Sequence, residues 1–445
     1  MRAFFLFFLG SGFASLVYEV VWLRLAMASF GVTTPLVSIV LSVFMAGLAL
    51  GSLAGGRLAR RLATGPRRAL AWYAVTEAAI AVFALFVPPL FQVGRTLLTS
   101  GDAAVAWDSA TYYLASGAWI ALAMLPACTA MGATFPLAMA AIRARVPAES
   151  RSFSFLYLAN VLGATTGTLA AAFVLIELLG LRATLTVAVA INLAVAAGAF
   201  VRSRQVEPAP AVPAAAAHAA DPRPAATVLL GLFLTGLVSM AMELVWIRQF
   251  TPYVGNLVYA FALILGTYLA ATFLGSHAYR AWIGPETSVR AAPFAWLVAG
   301  LAGLLPLAAA DPRLALPDLV RLVAGVAPLS AAAGLITPML VDRWSGGDAK
   351  RAGAAYATNV VGSIAGPLVA AFWLLPWLGE HRALTVLSVP LFVVGALAMT
   401  RPALLGASAR PSRRQLALVP VVAALALVLV AGTRTYETLY PERHV

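Results

Sequence analysis

The octapeptide YEVVWLRL, Tyr18–Leu25, places a carboxylate and a guanidinium inside an apolar run that extends from Ala3 to Ala28. A run of that length is expected to cross a bilayer, since about 20 predominantly apolar residues suffice. A second copy of the pattern, MELVWI at Met242–Ile247 followed by Arg248, lies 224 residues further on. Comparable apolar runs fill the rest of the 445-residue chain, which is 62% hydrophobic and 11% charged, against about a quarter charged in a soluble domain. The sequence is that of an all-α polytopic membrane protein.

Apolar runs set against loop residues predict thirteen helices, near 3–28, 34–58, 69–94, 110–142, 152–178, 182–201, 226–249, 255–279, 291–309, 318–341, 353–378, 382–400 and 415–432. With the N-terminus cytoplasmic, the inner loops and Arg2 hold twenty-one of the thirty basic residues. This bias sets the orientation by the positive-inside rule. The net charge of +13 is therefore topogenic, and no nucleic-acid partner is expected. An odd number of helices leaves the tail TRTYETLYPERHV, Thr433–Val445, on the periplasmic or extracellular side of a cell inner membrane. The Ala/Pro-rich segment 205–224 has no apolar period and is expected to be a flexible inner linker. Cys128 is the single cysteine, and the four histidines are scattered, so neither an intrachain disulfide nor a metal cluster is expected. No phosphate loop, nucleophile elbow or zinc motif is present, and no cofactor is expected.

The chain is one unit written twice. At a shift of 224, Gly12, Ser15, Glu19, Val21, Trp22, Arg24, Gly51 and Ser52 fall on Gly236, Ser239, Glu243, Val245, Trp246, Arg248, Gly275 and Ser276 without a gap. MGATFPL (131–137) answers AGLITPM (333–339), and YLANVLGATTG (157–167) answers YATNVVGSIAG (356–366). Six spans and an inner linker between the copies make these parallel repeats, the plan on which the halves of major facilitator transporters are related. The expected domains are a six-helix repeat over 1–204, the linker 205–224, a second six-helix repeat over 225–400, and an extra transmembrane helix with an outer tail over 401–445.

Charged residues within membrane spans are costly and mark candidate sites. Glu19, Arg24, Glu243 and Arg248 are such candidates. Five residues is a poor spacing for an intrahelical pair, so each acid and base should meet partners on other helices, in packing or around a ligand. Tyr157 with Asn160, and Tyr356 with Asn359, share a helix face three residues apart. They suit interhelical hydrogen bonding, with ligand contact as the alternative. Glu77 has no counterpart in the second half. Glycines at four-residue spacing, such as Gly47, Gly51 and Gly55, permit close helix packing, and Pro136 and Pro338 permit kinks.

SGFASLVYEVVWLRL, FMAGLALGSLAGGRLARR, MGATFPL, LYLANVLGATTG and the tail YETLY together resemble the membrane region of fused major-facilitator/spermidine-synthase-like proteins. The resemblance implies a membrane module whose usual soluble companion, an aminopropyltransferase-like domain, is absent from this chain. The likeness to ordinary major facilitator transporters is looser, for Arg60 in GRLARRLATGPRR (56–68) stands where their loop carries an acidic residue. Two functions are thereby expected as alternatives. One is a transporter with a central site for a small cationic metabolite such as a polyamine. The other is a non-transporting scaffold that anchors a spermidine-synthase-like partner or belongs to a larger membrane complex. An intramembrane enzyme would need a nucleophile–base or metal constellation, and none is present.

Overall fold

The computed structural model describes residues 2–61, 66–99, 109–143, 152–205, 226–255, 257–283, 285–346, 348–400, 413–434 and 436–439. The linker beyond Gln205, the loop with Arg145 and Arg151, and the stretch with Arg401 and Arg410 lie outside these residues. Among the described residues the protein is entirely helical, without strands. In hydrocarbon this is expected, because a helix satisfies its backbone polar groups internally.

The first half contains α1 (Arg2–Phe30), α2 (Thr34–Arg61), α3 (Pro66–Thr99), α4 (Ala110–Arg143), α5 (Ser152–Ala170) and α6 (Ile176–Arg204). The second contains α7 (Ala226–Val254), α8 (Leu257–Trp282), α9 (Pro285–Ala302), the short α10 (Leu305–Ala309), α11 (Asp318–Ser345), α12 (Ala349–Val369) and α13 (Leu375–Thr400). Helix α14 (Arg413–Gly432) packs on α9, α10 and α13, and one turn, α15 (Tyr436–Leu439), follows it. Among the described residues nine helical stretches are long and apolar enough to span a membrane. Two of these, Phe153–Arg204 and Lys350–Thr400, run to 52 and 51 residues and each holds two spans. They divide at Gly180 and Gly379, whose φ values of 74° and 67° lie in the left-handed region that only glycine enters without strain. Pro293–Ala309 and Val419–Gly432 are shorter apolar helical stretches.

The predicted helix 291–309 is in fact two. Pro306 offers no N–H to the carbonyl of Ala302, so the ladder breaks, and Gly303 and Leu304 close the turn on Ala299 and Leu301. Sequence patterning also missed a π-helical turn at Ala171–Leu175 and its repeat at Ala370–Leu374. Both immediately precede the helix that carries the glycine break.

Helix pairing repeats between the halves: α1 with α5 as α7 with α12, α2 with α4 as α8 with α11, and α3 with α6 as α9 with α13. A Cβ on Gly12 would fall on the backbone of Asn160, and one on Gly236 on that of Asn359. The same holds for Gly51 against Thr129 and Gly275 against Ala331. The halves meet along α2 with α12 and α5 with α8, where Ser42 Oγ donates to Ile364 O at 3.0 Å and Ser52 Oγ to Gly353 O at 3.1 Å. We call the end of the bundle where α6 ends and α7 begins the linker face, and the end where α14 finishes the tail face.

Candidate functional site

The site is built on the seam between the halves. Glu19 on α1 and Glu243 on α7 are 4% and 1% exposed, and they lie within electrostatic range of one another. Among the described residues neither forms an ion pair, and Glu243 Oε1 has no hydrogen-bond partner. The five-residue spacing keeps them apart from the arginines on their own helices, as the helical period requires.

Those arginines are paired elsewhere. Arg24 Nη1 stands 4.0 Å from Glu177 Oε1, at the start of α6. Tyr259 of the second half donates its hydroxyl to the same Glu177 oxygen at 2.9 Å, and its ring lies 5.9 Å from the Arg24 guanidinium. In the second half Arg248 Nε stands 3.4 Å from Glu380 Oε1. This pair lines a tail-face cavity of about 280 Å³ whose wall includes Thr34 and Val37 of the first half, Gln249 and Tyr436. A smaller cavity under Arg24 reaches down to Val20, next to Glu19, and the larger one reaches Leu244, next to Glu243. Arg24 Nε and Nη2 make no hydrogen bond, so the first pair is the looser of the two.

Neither carboxylate partner was foreseen. Glu177 precedes Gly180 by three residues, whereas Glu380 follows Gly379 by one. A search for matched positions passes over both. The signal that could find them is a lone acid beside the glycine that separates two apolar runs.

Toward the linker face the seam is closed. Phe135, Phe153, Tyr157 and Tyr356 stack there, with Phe135–Tyr356 and Phe153–Tyr157 ring centroids 5.6 Å apart. Below them Asp342 of α11 accepts from Ser154 N at 3.3 Å and from Tyr279 Oη at 3.3 Å. Arg280 donates to Ser154 Oγ at 2.6 Å. The asparagines stand elsewhere. Asn359 Nδ2 donates to Leu232 O at 2.9 Å and to Thr235 Oγ1 at 3.0 Å, tying α12 to α7, and Asn160 packs on Gly12. Glu77 is remote from the seam, buried among α1, α3 and α6, and accepts from Asn192 Nδ2 at 2.5 Å.

At the tail face a second polar cluster holds the end of α14. Asp311 is 2% exposed and accepts from Arg313 Nη2 at 2.6 Å and from Arg434 N at 2.9 Å. Its carboxyl is held at about 2, below the usual range, chiefly by the Arg313 hydrogen bond, which outweighs the opposing effect of burial. Arg321 donates to the carbonyls of Ala309, Asp311, Leu314 and Leu316 and lies 4.6 Å from the Tyr253 ring. It is a structural knot for the α10–α11 loop.

No protein-family model and no curated protein matches the chain. Among solved structures it is similar to the crystal structure of a Major Facilitator Superfamily (MFS) transporter, FucP, in the outward conformation. The TM-score is 0.52 at 14% identity, covering 89% of this chain and 98% of that one. At that identity the likeness is one of fold.

Proposed function

We propose that this chain is a transporter of the major facilitator type that carries a small cationic solute, of which a polyamine is the class that best fits. The observation that carries this reading is the pair of buried acids, Glu19 and Glu243, set at matched positions beside the seam with no cation among the described residues as partner. Buried carboxylates in a low-dielectric interior favour occupants that bring positive charge. Two such acids, one from each half, suit a solute with two separated ammonium groups. The cavity at Arg248 and Glu380 supplies an entrance from the tail face, and the Asp342–Ser154–Arg280 contacts supply the closed end. The tail face is outward in this reading, because basic residues concentrate on the linker side. The repeats 1–204 and 225–400 move as the two rocking bodies, joined by the linker 205–224, while 401–445 stays with the second body.

The test is thermal unfolding of the purified protein in detergent against a panel of polyamines and other organic cations, repeated with Glu19→Gln and Glu243→Gln. Stabilisation by one ligand, lost in both variants, is the expected result. Absence of any ligand effect, with variants that simply melt earlier, rejects the reading. It would favour the scaffold that anchors a spermidine-synthase-like partner. The clamp of Arg434 and Gly432 onto Asp311 and Arg313 favours that second reading, since it fixes the tail on the bundle where a partner would attach.

A further inference from the structure

The two arginine–carboxylate pairs at the tail face are alike in residue type but opposite in which member is enclosed. In the first half Arg24 is the enclosed partner, its side chain 16% exposed against 47% for Glu177. In the second half the order reverses, with Arg248 39% exposed and Glu380 7%. Such a pair opens at its wetter member. Water takes over the charge that leaves, whereas the charge left behind in apolar surroundings needs a new partner. Arg248 also has the long side chain that can carry its head into water while its stem stays on the protein. Glu380 is short and follows directly on the glycine break at Gly379. The second-half pair is therefore arranged to release a cation and to retain an acid.

The space beside each pair differs in the same sense. The cavity at Arg24 measures about 10 Å³, room for about one water, and Glu177 is further held there by the Tyr259 hydroxyl. The cavity at Arg248 and Glu380 measures about 280 Å³, close to the size at which small-molecule pockets begin, about 300 Å³. Val37, Leu244, Ile247 and Pro252 give it apolar walls suited to a hydrocarbon chain, and Tyr436 adds an aromatic side chain, which attracts cations at its face. Leu244, in the same wall, adjoins Glu243 in sequence. Arg248 stands about 7.5 Å beyond Glu243 along α7, at 1.5 Å per residue.

We propose that Glu380 binds an ammonium group of the solute in this tail-face cavity, and that Arg248 is its placeholder, occupying the carboxylate until an alkyl ammonium displaces it. This rests on the cationic reading above but uses residues separate from Glu19 and Glu243. Exchange of one cation for another at Glu380 adds little to thermal stability. Its role is to load the solute one step short of the buried acids. The matched pair at Arg24 offers no equivalent site, since its cavity holds no organic molecule.

The experiment follows the labelling of Thr34→Cys, in the wall of the cavity, in a Cys128→Ala background of the full-length protein in detergent. The reagent is an uncharged methanethiosulfonate, and the probe is 1,4-diaminobutane, compared with 1,4-butanediol and with sodium chloride at equal ionic strength. The diamine should slow labelling saturably, and the diol and the salt should not. Glu380→Gln should raise the diamine midpoint several-fold. Arg248→Gln should lower it several-fold, because the competitor is gone, whereas Arg182→Gln, which removes an exposed charge elsewhere on the tail face, should leave it unchanged. A purely structural ion pair would give the first two variants the same midpoint as the parent, and that result overturns the proposal. So does equal labelling with diamine and diol in the parent protein, which decides the matter even if neither variant folds. Glu19→Gln combined with Glu243→Gln should leave the protection intact. Protection lost in that double variant would mean that the diamine closes the cavity from the inner acids, which overturns the tail-face site while leaving the seam reading in place.

Discussion

Asp311→Asn should loosen the end of α14 without dismantling the bundle. Asp311 receives five short contacts: Arg313 N and Nε at 3.0 Å on Oδ1, Nε at 3.2 Å and Nη2 at 2.6 Å on Oδ2, and Arg434 N at 2.9 Å on Oδ2. They hold the carboxyl at about 2 instead of the ordinary 3.8. At 1.36 kcal/mol for each tenfold change in affinity for the proton, that difference corresponds to about 2 kcal/mol. Because the folded value is depressed, this stability is fully present above about 4 and is lost as pH falls through about 2. The asparagine keeps the shape but offers a single acceptor and presents an N–H₂ to one of its former donors. About 2 kcal/mol of local stability corresponds to roughly thirtyfold in an opening equilibrium. Hydrogen exchange at the Arg434 amide and across 436–439 should therefore quicken by about that factor, while exchange in α1 and α7 stays unchanged. Tyr436 lines the tail-face cavity, so the variant should also widen the entrance. An unchanged Arg434 amide at neutral pH would refute the reasoning. So would a tail in the parent protein that already detaches between neutral and weakly acidic pH.

Three further outcomes follow from the packing and the seam. Gly51→Ala and Gly275→Ala should each reduce folded yield sharply, because the new Cβ falls on the backbone of Thr129 or Ala331 and overpacking costs about 1–3 kcal/mol or more. Gly117→Ala, whose Cβ would meet only Ile39 at 3.3 Å, should be tolerated; gel-filtration recovery in detergent reports all three. In a Cys128→Ala background, Asp342→Asn should raise the maleimide reactivity of Tyr157→Cys from the linker face, since it weakens the acceptor shared by Ser154 and Tyr279. Equal labelling with and without the Asp342 change would show that these contacts do not gate the seam. In the same background an impermeant maleimide on intact cells should label Leu439→Cys and not Arg204→Cys, and the reverse pattern would invert the proposed orientation.

The positions of the helices are legible because apolar length is a property of the sequence itself, and glycine or proline marks most of the ends. Gly180 and Gly379 fall where the fifth and sixth runs of each half are expected to part. The internal repeat likewise matches Gly12 with Gly236 and Asn160 with Asn359, although it does not disclose that each glycine packs on the asparagine of its own half. What the pattern conceals depends on three-dimensional return. The π turns leave no mark on apolar periodicity. Glu177 and Glu380 pair with matched arginines from unmatched positions, so repetition, the strongest guide to Glu19 and Arg24, points away from them. Asp311 and Arg321 sit in a loop whose importance comes from carbonyls and an amide that converge on them, and backbone groups carry no signature in sequence.

The unmatched origin of those carboxylates bears on the sign of the solute. A half-buried guanidinium near the end of a span is costly unless an anion is supplied, and each half supplies one from a different side of its glycine. The requirement at Arg24 and Arg248 is thus for a neutral pair, and it is met by whichever residue the local turn brings within reach. Once paired, these arginines contribute little net field to the seam. Glu19 and Glu243 on the seam and Glu77 within the first half are buried carboxylates that form no ion pair among the described residues. All three are negative, and all lie where water is scarce. An anionic solute would have to displace Glu177 or Glu380 from its arginine and then settle beside two further carboxylates, whereas a cation meets no such opposition. On the proposed function, the residual charge left after pairing, more than the net charge of +13 on the whole chain, would select the occupant. A ligand panel that returned only carboxylates or phosphates as stabilisers would contradict this accounting at its root.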